Sequence, residues 1–242
     1  MLSSNTRRTP GPWITVCAIV VSVIAGCGEA SSRRDEGPPW AEAGLPDGVR
    51  RYGLESAVIE YEISGWNTGH ETLSFDRWGA REASVSRLDA HGMDPDRTLE
   101  TVTEGAWVTT IDHAQRELFS MKAHVHHDAV LQEATDALAH GERVDWGELT
   151  MRAYGCEPVG REPILGRSCQ VWERETRAGH ERSWLWEGIL LKHERVMGDG
   201  TPRTYLAVRI EEQPALTDAL FELPRSYPRA TFDPTGPGVF GY

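Results

Sequence analysis

From Val49 onward the chain alternates. Ile59, Tyr61 and Ile63 fall on one side of an extended backbone and Glu60, Glu62 and Ser64 on the other, the period of two of a half-buried strand. "NTG" at 67–69 is turn chemistry, after which Glu71, Leu73 and Phe75 resume the register. "DRWG" at 76–79 stops that strand, and Ala83 and Val85 begin a third. Tyr61, Ile63, Leu73 and Phe75 thereby form an inner wall, and Glu62, Thr72, Ser74 and Asp76 a wet outer surface. Further strands are predicted at 98–103, 106–112 and 116–123.

The period then changes. In "HDAVLQEATDALAH", Val130, Leu131, Ala134, Ala137 and Leu138 make one apolar stripe at helical spacing, with Asp128 as N-cap and Gly141 as the stop. "TMRAYG", "CQVWERE", "ERSWLWEG", "LLKHERVM" and "TYLAVRIEE" read as strands, with "RAG" and "GDG" at hairpin turns. "LTDALFELP" closes with a short helical turn before proline. These elements predict a mainly β (α+β) domain of about ten sequential strands. Its sheet is antiparallel and strongly curved, an open half-barrel, with one central helix and a short late helix on the concave side.

The N-terminus follows other rules. Arg7 and Arg8 precede a 12-residue apolar run, Trp13 to Ile24, the length of a signal-peptide core and too short to span a bilayer. Ile24, Ala25, Gly26 and Cys27 resemble a bacterial lipobox, which implies cleavage after Gly26 and acylation of Cys27. Three acyl chains, at about 0.8 kcal/mol per buried CH₂, anchor far more firmly than one. Gly28 in place of an aspartate favours the outer membrane, facing the periplasm. Segment 1–26 is thus the expected signal peptide. Residues 27–48, rich in Gly, Pro, Ser and charge, are a tether, residues 49–228 the domain and 229–242 a Gly/Pro-rich tail.

Removing residues 1–26 takes away two of the 25 bases and no acid, leaving 23 against 37, a balance of −14. That surface repels phosphate backbones, so nucleic acid is an unsuited partner. Cys17 leaves with the signal, and Cys156 and Cys169 remain as a pair bound for an oxidising compartment. A disulfide between them is the expectation, with about 3 kcal/mol from closing so short a loop. Two buried thiols or half of a metal site are the alternatives.

Catalytic signatures are weak. "GRSCQ" at 166–170 misses the nucleophile elbow, and the His-Glu pairs at 70, 180 and 193 lack the second histidine of a zinc-protease motif. "GPGVFG" at 236–241 has no helix after it, so it carries no phosphate site. No cofactor is implied and no catalytic residue is assigned. Glu60 with Glu62, and Glu211 with Glu212, read as solvated acids on an outer face. His124 and His126 share a strand face with His127 beside them, a weak metal-ligand candidate set for Zn or Cu. Trp184 and Trp186 share another strand face, and Trp107 and Trp172 lie in predicted strands. Such aromatics either line an apolar cavity or fill a core.

The runs "IEYEISG", "TGHETLSFDRWGARE", "ILGRSCQVWERE", "SWLWEGILLKHERV" and "ALTDALFELP" resemble the LolA/LolB-like superfamily of envelope proteins over roughly residues 50–225. The resemblance implies an unclosed β-barrel whose helices plug its mouth around an apolar cavity for lipid acyl chains, and hydrophobe binding rather than lipoprotein transfer. Tyr61, Ile63, Leu73, Phe75, Trp107, Trp184 and Trp186 are then the cavity candidates. The expectation is a non-catalytic envelope lipoprotein that binds an apolar or amphipathic ligand. A structural or protein-interaction lipoprotein with a filled core is the first alternative. A metal-binding protein using His124 and His126 is the second.

Overall fold

Twelve strands form one sheet in the order β12-β6-β5-β4-β3-β2-β1-β11-β10-β9-β8-β7. The strands are β1 (Ala57–Gly65), β2 (Asn67–Asp76), β3 (Arg81–Ala90), β4 (Thr98–Glu104), β5 (Trp107–Asp112), β6 (Glu117–Lys122), β7 (Glu157–Ile164), β8 (Arg167–Thr176), β9 (Gly179–Trp186), β10 (Ile189–Met197), β11 (Pro202–Glu212) and β12 (Arg229–Phe232). Helices α1 (His127–Ala139) and α2 (Trp146–Ala153) lie between β6 and β7. The computed structural model describes residues 45, 48–65, 67–90, 98–123, 126–177, 179–197 and 200–232. Cys27, the signal segment, His124 and the glycine-rich end of the tail lie outside the described residues.

All pairings are antiparallel except β12 on β6. The two outermost strands, β12 and β7, do not pair, so the sheet stays open among the described residues. Register shifts at Glu60/Tyr61, Leu190/Lys192 and Pro158/Gly160 mark bulges, each of which bends a strand and adds twist. The curved antiparallel sheet expected from the alternation is therefore present.

Several local expectations change. "NTG" is not the turn: residues 67–69 of β2 pair with Ala90, Asp89 and Leu88, so the reversal precedes Asn67. Strand β7 and the parallel β12 join the expected set, and β12 occupies the first four residues of the presumed tail. "TMRAYG" holds the end of a second helix. Asp145 caps α2, its carboxylate accepting from the Glu148 amide at 3.0 Å, the Asp-x-x-Glu signature of a helix start. The apolar count of so short a helix is too small to separate the two periods. Asp128 is not the cap of α1 but lies in its first turn, and His126 holds the cap position. Gly141 does end α1, at φ +74°, with its amide on Leu138 and the Glu142 amide on Ala137.

The two faces of the sheet bury different things. Ala57, Ile59, Tyr61, Ile63 and Phe75, on one face of β1 and β2, belong to a main core that also holds Trp184, Ile189, Leu191, Tyr205 and Ala207. Val49, Val130, Ala134 and Trp146 make a second cluster with the helices, which Leu45 from the end of the tether joins. On the opposite face Ala83, Val102, Ile111 and Leu118 pack under Phe221. The short late helix, Asp218–Phe221, thus lies on the far side of the sheet from the inner wall. Arg81 holds it there by pairing with Asp218 at 3.0 Å and lying 4.5 Å over the Phe221 ring. This also dries part of the surface expected to be wet: Ser74, opposite Ala83, is buried.

Cys156 and Cys169 are two buried free thiols, which overturns the expected disulfide. Register explains it. Cys169 lies opposite Glu162 while Glu157, next to Cys156, lies opposite Glu173. Four residues of strand, about 13 Å, therefore separate the level of Glu157 from that of Cys169, and Cys156 precedes Glu157, whereas a bridge needs Cα atoms within about 7 Å. Burial pushes both thiols up from their ordinary values. In the mature chain with Cys27→Ser, both thiols are expected to be alkylated only after unfolding, and dithiothreitol to leave the melting temperature unchanged. A reductant-induced drop of several degrees would restore the bridge.

The β9–β10 turn anchors residues 51–53. Gly188 sits at φ +77°, where a Cβ would lie 2.3 Å from the Arg51 carbonyl oxygen, and the Gly53 amide donates to the Glu187 carbonyl at 2.8 Å. Gly188→Ala is expected to cost on the order of 1–3 kcal/mol, seen as a lower urea midpoint with an unchanged slope.

Candidate ligand-binding face

The register of β1–β3 and β8–β11 stacks side chains into three lateral rows on the face that carries the helices. The outermost row is Arg174, Glu181, Arg195 and Arg203, directly opposite one another across β8, β9, β10 and β11. The next is Trp172, Ser183, His193, Tyr205 and Ile63. The third is Ala207, Tyr61, Glu71 and Ser86. The first row lies two pairs inside the Thr176–Gly179 end of β8 and β9 and one pair inside the Val196–Pro202 end of β10 and β11. The helices share this face: Met151 of α2 packs with Trp172 and Leu185, and Arg174 Nη1 donates to the Tyr154 carbonyl at 3.3 Å.

The rows form a polar floor inside an apolar frame. Glu71 is buried, yet accepts from the Ser86 hydroxyl at 2.5 Å and the Tyr205 hydroxyl at 2.8 Å. Burial raises its pKa, and the two hydroxyls and the Arg203 charge only partly offset that. Tyr205 stacks on Tyr61 at 4.2 Å, and the Tyr61 hydroxyl donates to the Leu190 carbonyl at 2.9 Å. Glu181, also buried, receives Arg174 Nε at 2.6 Å and lies 3.2 Å from Arg195 Nε. His193 Nδ1 is 3.1 Å from the Ser183 hydroxyl, and burial lowers its pKa to about 4.

Arg203 is the group left over. It faces Arg195 directly, a like-charge pairing that costs stability. Burial first, and then Arg195, pull its pKa below the ordinary arginine value, while Glu71 acts the other way. Its Nη2 is buried and finds no hydrogen-bond partner among the described residues. Three guanidiniums here meet two carboxylates in a chain whose formal charge is −12.

A second buried polar group joins helices to sheet. Arg51 Nη1 donates to Glu82 Oε1 at 2.9 Å, and Nη2 donates to the Gly105 carbonyl. The same Nη2 is 3.5 Å from His127 Nε2 on α1, and the guanidinium stands 5.6 Å from the Trp146 ring on α2. Burial, then the Arg51 charge, lower the His127 pKa to about 4, so its neutral ring faces the guanidinium as an acceptor.

The sequence-predicted residues separate in space. Tyr61, Ile63, Phe75 and Trp184 lie within one apolar cluster, with Leu73 and Trp186 partly buried against it. Trp107 is buried in β5 outside that cluster. Several of these aromatics spend their surface on neighbours. Tyr52 packs 4.4 Å from Phe75, and Trp184 donates to Glu162 at 2.8 Å between Arg182 and Lys192. His126 meets the Tyr154 ring edge-on at 5.2 Å, whereas His127 faces Arg51. The two imidazoles thus serve different partners, and no group of three potential ligands forms among the described residues. Glu60 and Glu211 are exposed and share Arg209, as solvated acids do. Glu71, Glu181, His193, Arg203 and Arg51 were missed as a set. One signal existed: Glu71 stands in the apolar register of Leu73 and Phe75.

No protein-family model matches the chain. No curated protein matches it either. Among solved structures it is similar to an uncharacterized conserved protein from Thermus thermophilus, at 8% identity and TM-score 0.46, over 74% of this chain and 92% of that one. It is similar to a chain of the Pseudomonas aeruginosa MucA/MucB complex, at 14% identity and TM-score 0.41, over 70% of this chain and 56% of that one. It is also similar to a LolA superfamily protein from Nitrosomonas europaea, at 12% identity and TM-score 0.34, over 76% of this chain and 97% of that one.

Proposed function

We propose that this protein is a non-catalytic lipoprotein of the bacterial envelope, held by acyl chains on Cys27, whose β-domain binds an apolar or amphipathic ligand such as a lipid or an acyl chain. One observation carries the reading. The sheet is open, and the margin of its main core consists of apolar side chains only partly buried, among them Tyr52, Leu73, Trp186, Leu190 and Ile210. Such a margin gains by covering its apolar surface, at about 25 cal/mol per Å². The outer membrane, facing the periplasm, is the expected location, and Cys27→Ser should release the protein from membranes into the soluble fraction.

Native mass spectrometry of the mature chain (residues 27–242 with Cys27→Ser), purified from a lipid-rich extract, tests the binding. A carrier emerges with added mass that organic extraction removes and identifies. Repeated recovery of the bare chain counts against a carrier and for the second reading, a structural or protein-interaction lipoprotein. The observation favouring that second reading is the mutual packing of Tyr61 on Tyr205 and Tyr52 on Phe75.

A further inference from the structure

Within the carrier reading, on which this inference rests, we propose that Arg203 and Arg195 select a ligand with an acidic head group. The apolar part of that ligand would lie against the Tyr205–Ile63 row beside them. Three observations converge on these two residues. First, the outermost row holds three arginines and one glutamate, and Arg174 Nε and Arg195 Nε both approach that same Glu181 carboxylate. Glu181 is therefore already shared, and Arg203, next in the row, faces another cation. Second, Glu71, the other carboxylate nearby, receives the Ser86 and Tyr205 hydroxyls, and Arg203 Nη2 stays buried without a hydrogen-bond partner among the described residues. A buried N–H left unmade costs about 1–3 kcal/mol, and an anion placed between Arg195 and Arg203 removes both that cost and the like-charge pairing. Third, the row lies within two pairs of the strand ends, and the neighbouring row carries Tyr205 and Ile63. An amphiphile reaching that end meets the charges first, with the buried Tyr205 and Ile63 side chains directly behind them.

Among the described residues, the following groups face the pair. Glu71 and Glu181 are engaged, His193 is neutral at pH 7, and the Tyr205 hydroxyl donates its hydrogen bond to Glu71. Among the described residues none supplies a second negative charge to Arg203. Guanidinium suits both carboxylate and phosphate through paired N–H donors, so a fatty-acid carboxylate and a lipid phosphate share the recognition.

The test uses the mature chain (residues 27–242 with Cys27→Ser) and three probes of equal chain length: dodecanoic acid, dodecyl phosphate and dodecanol, titrated at pH 7.5 by isothermal calorimetry. The wild type is expected to bind at least one acid about tenfold more tightly than the alcohol, the worth of one charge-assisted hydrogen bond. Arg203→Met should abolish that preference and leave the alcohol affinity within about twofold, and Arg203→Lys should retain part of it. Preference for dodecanoic acid alone identifies a carboxylate, and for dodecyl phosphate alone a phosphate. Should Arg203→Met fail to fold, Arg195→Met provides the same comparison. Equal binding of acids and alcohol, or a preference untouched in both variants, overturns head-group recognition while leaving the carrier reading intact. Binding of none of the three sinks both.

Discussion

Replacing Arg51 by methionine is expected to cost the fold about 3–5 kcal/mol, the penalty for stranding one partner of a buried ion pair. Arg51 and Glu82 are both nearly sequestered, with side-chain exposures of 6% and 11%. The guanidinium also serves the Gly105 carbonyl, the His127 ring and the Trp146 face. A single side chain thus ties the loop before β1 to β3, to the β4–β5 turn and to both helices. Urea unfolding should show the loss, and hydrogen exchange should show α1 and α2 losing protection before the central strands. Arg51→Met combined with Glu82→Gln should cost less than the sum of the single changes, because the double variant leaves no unpaired buried charge. A single-variant loss below about 1 kcal/mol would show that the clamp is dispensable.

Acid should destabilise the domain well above the range in which most carboxylates titrate. His127 and His193 both have folded pKa values lowered to about 4, in each case chiefly by burial. The unfolded chain binds their protons near pH 6.5, and the folded chain resists until about pH 4. Between those values the unfolded state carries more protons, so stability falls as pH falls. At pH 4.5 each histidine should cost on the order of 2–3 kcal/mol relative to pH 7.5. Glu71 works in the opposite sense. Its raised pKa means that the folded state takes up its proton first, so stability from this group grows as pH falls through the folded value. Urea midpoints measured from pH 7.5 to 4.5 should decline steeply in the wild type. The decline should be shallower in His193→Gln, a variant that keeps an acceptor for Ser183. An equal slope in His193→Gln and wild type would show that this ring does not resist protonation in the folded chain.

The location of the elements was largely written in the chain, because alternation depends only on which residues share a face. Ile59, Tyr61 and Ile63 announce β1 without help from any other strand, and Gly141 announces the end of α1. Short elements were not legible. Helix α2 spans too few apolar positions to show a period, and β12 pairs parallel to β6, a contact between distant segments that no local pattern records. "NTG" carried turn residues and still went into β2, since pairing with β3 outweighs the local preference of three residues. The candidate site was less legible than the fold. Arg203, Arg195, Glu181 and Arg174 lie on four strands spread over 30 positions and become neighbours only through register.

The sequence by itself determined the β-rich class, the inner register of Tyr61, Ile63, Leu73 and Phe75, and the outward side of Glu60 and Glu62, since each follows from burial of one face of a local element. Only the tertiary structure decided the rest. It kept Cys156 and Cys169 apart, because strand register places Glu157, beside Cys156, four residues of strand from the level of Cys169. It put the late helix on the far face, where Ala83, Val102, Ile111 and Leu118 needed a cover. It also brought three arginines to two glutamates, because side-chain charge carries no sequence-local rule for which strands will lie side by side.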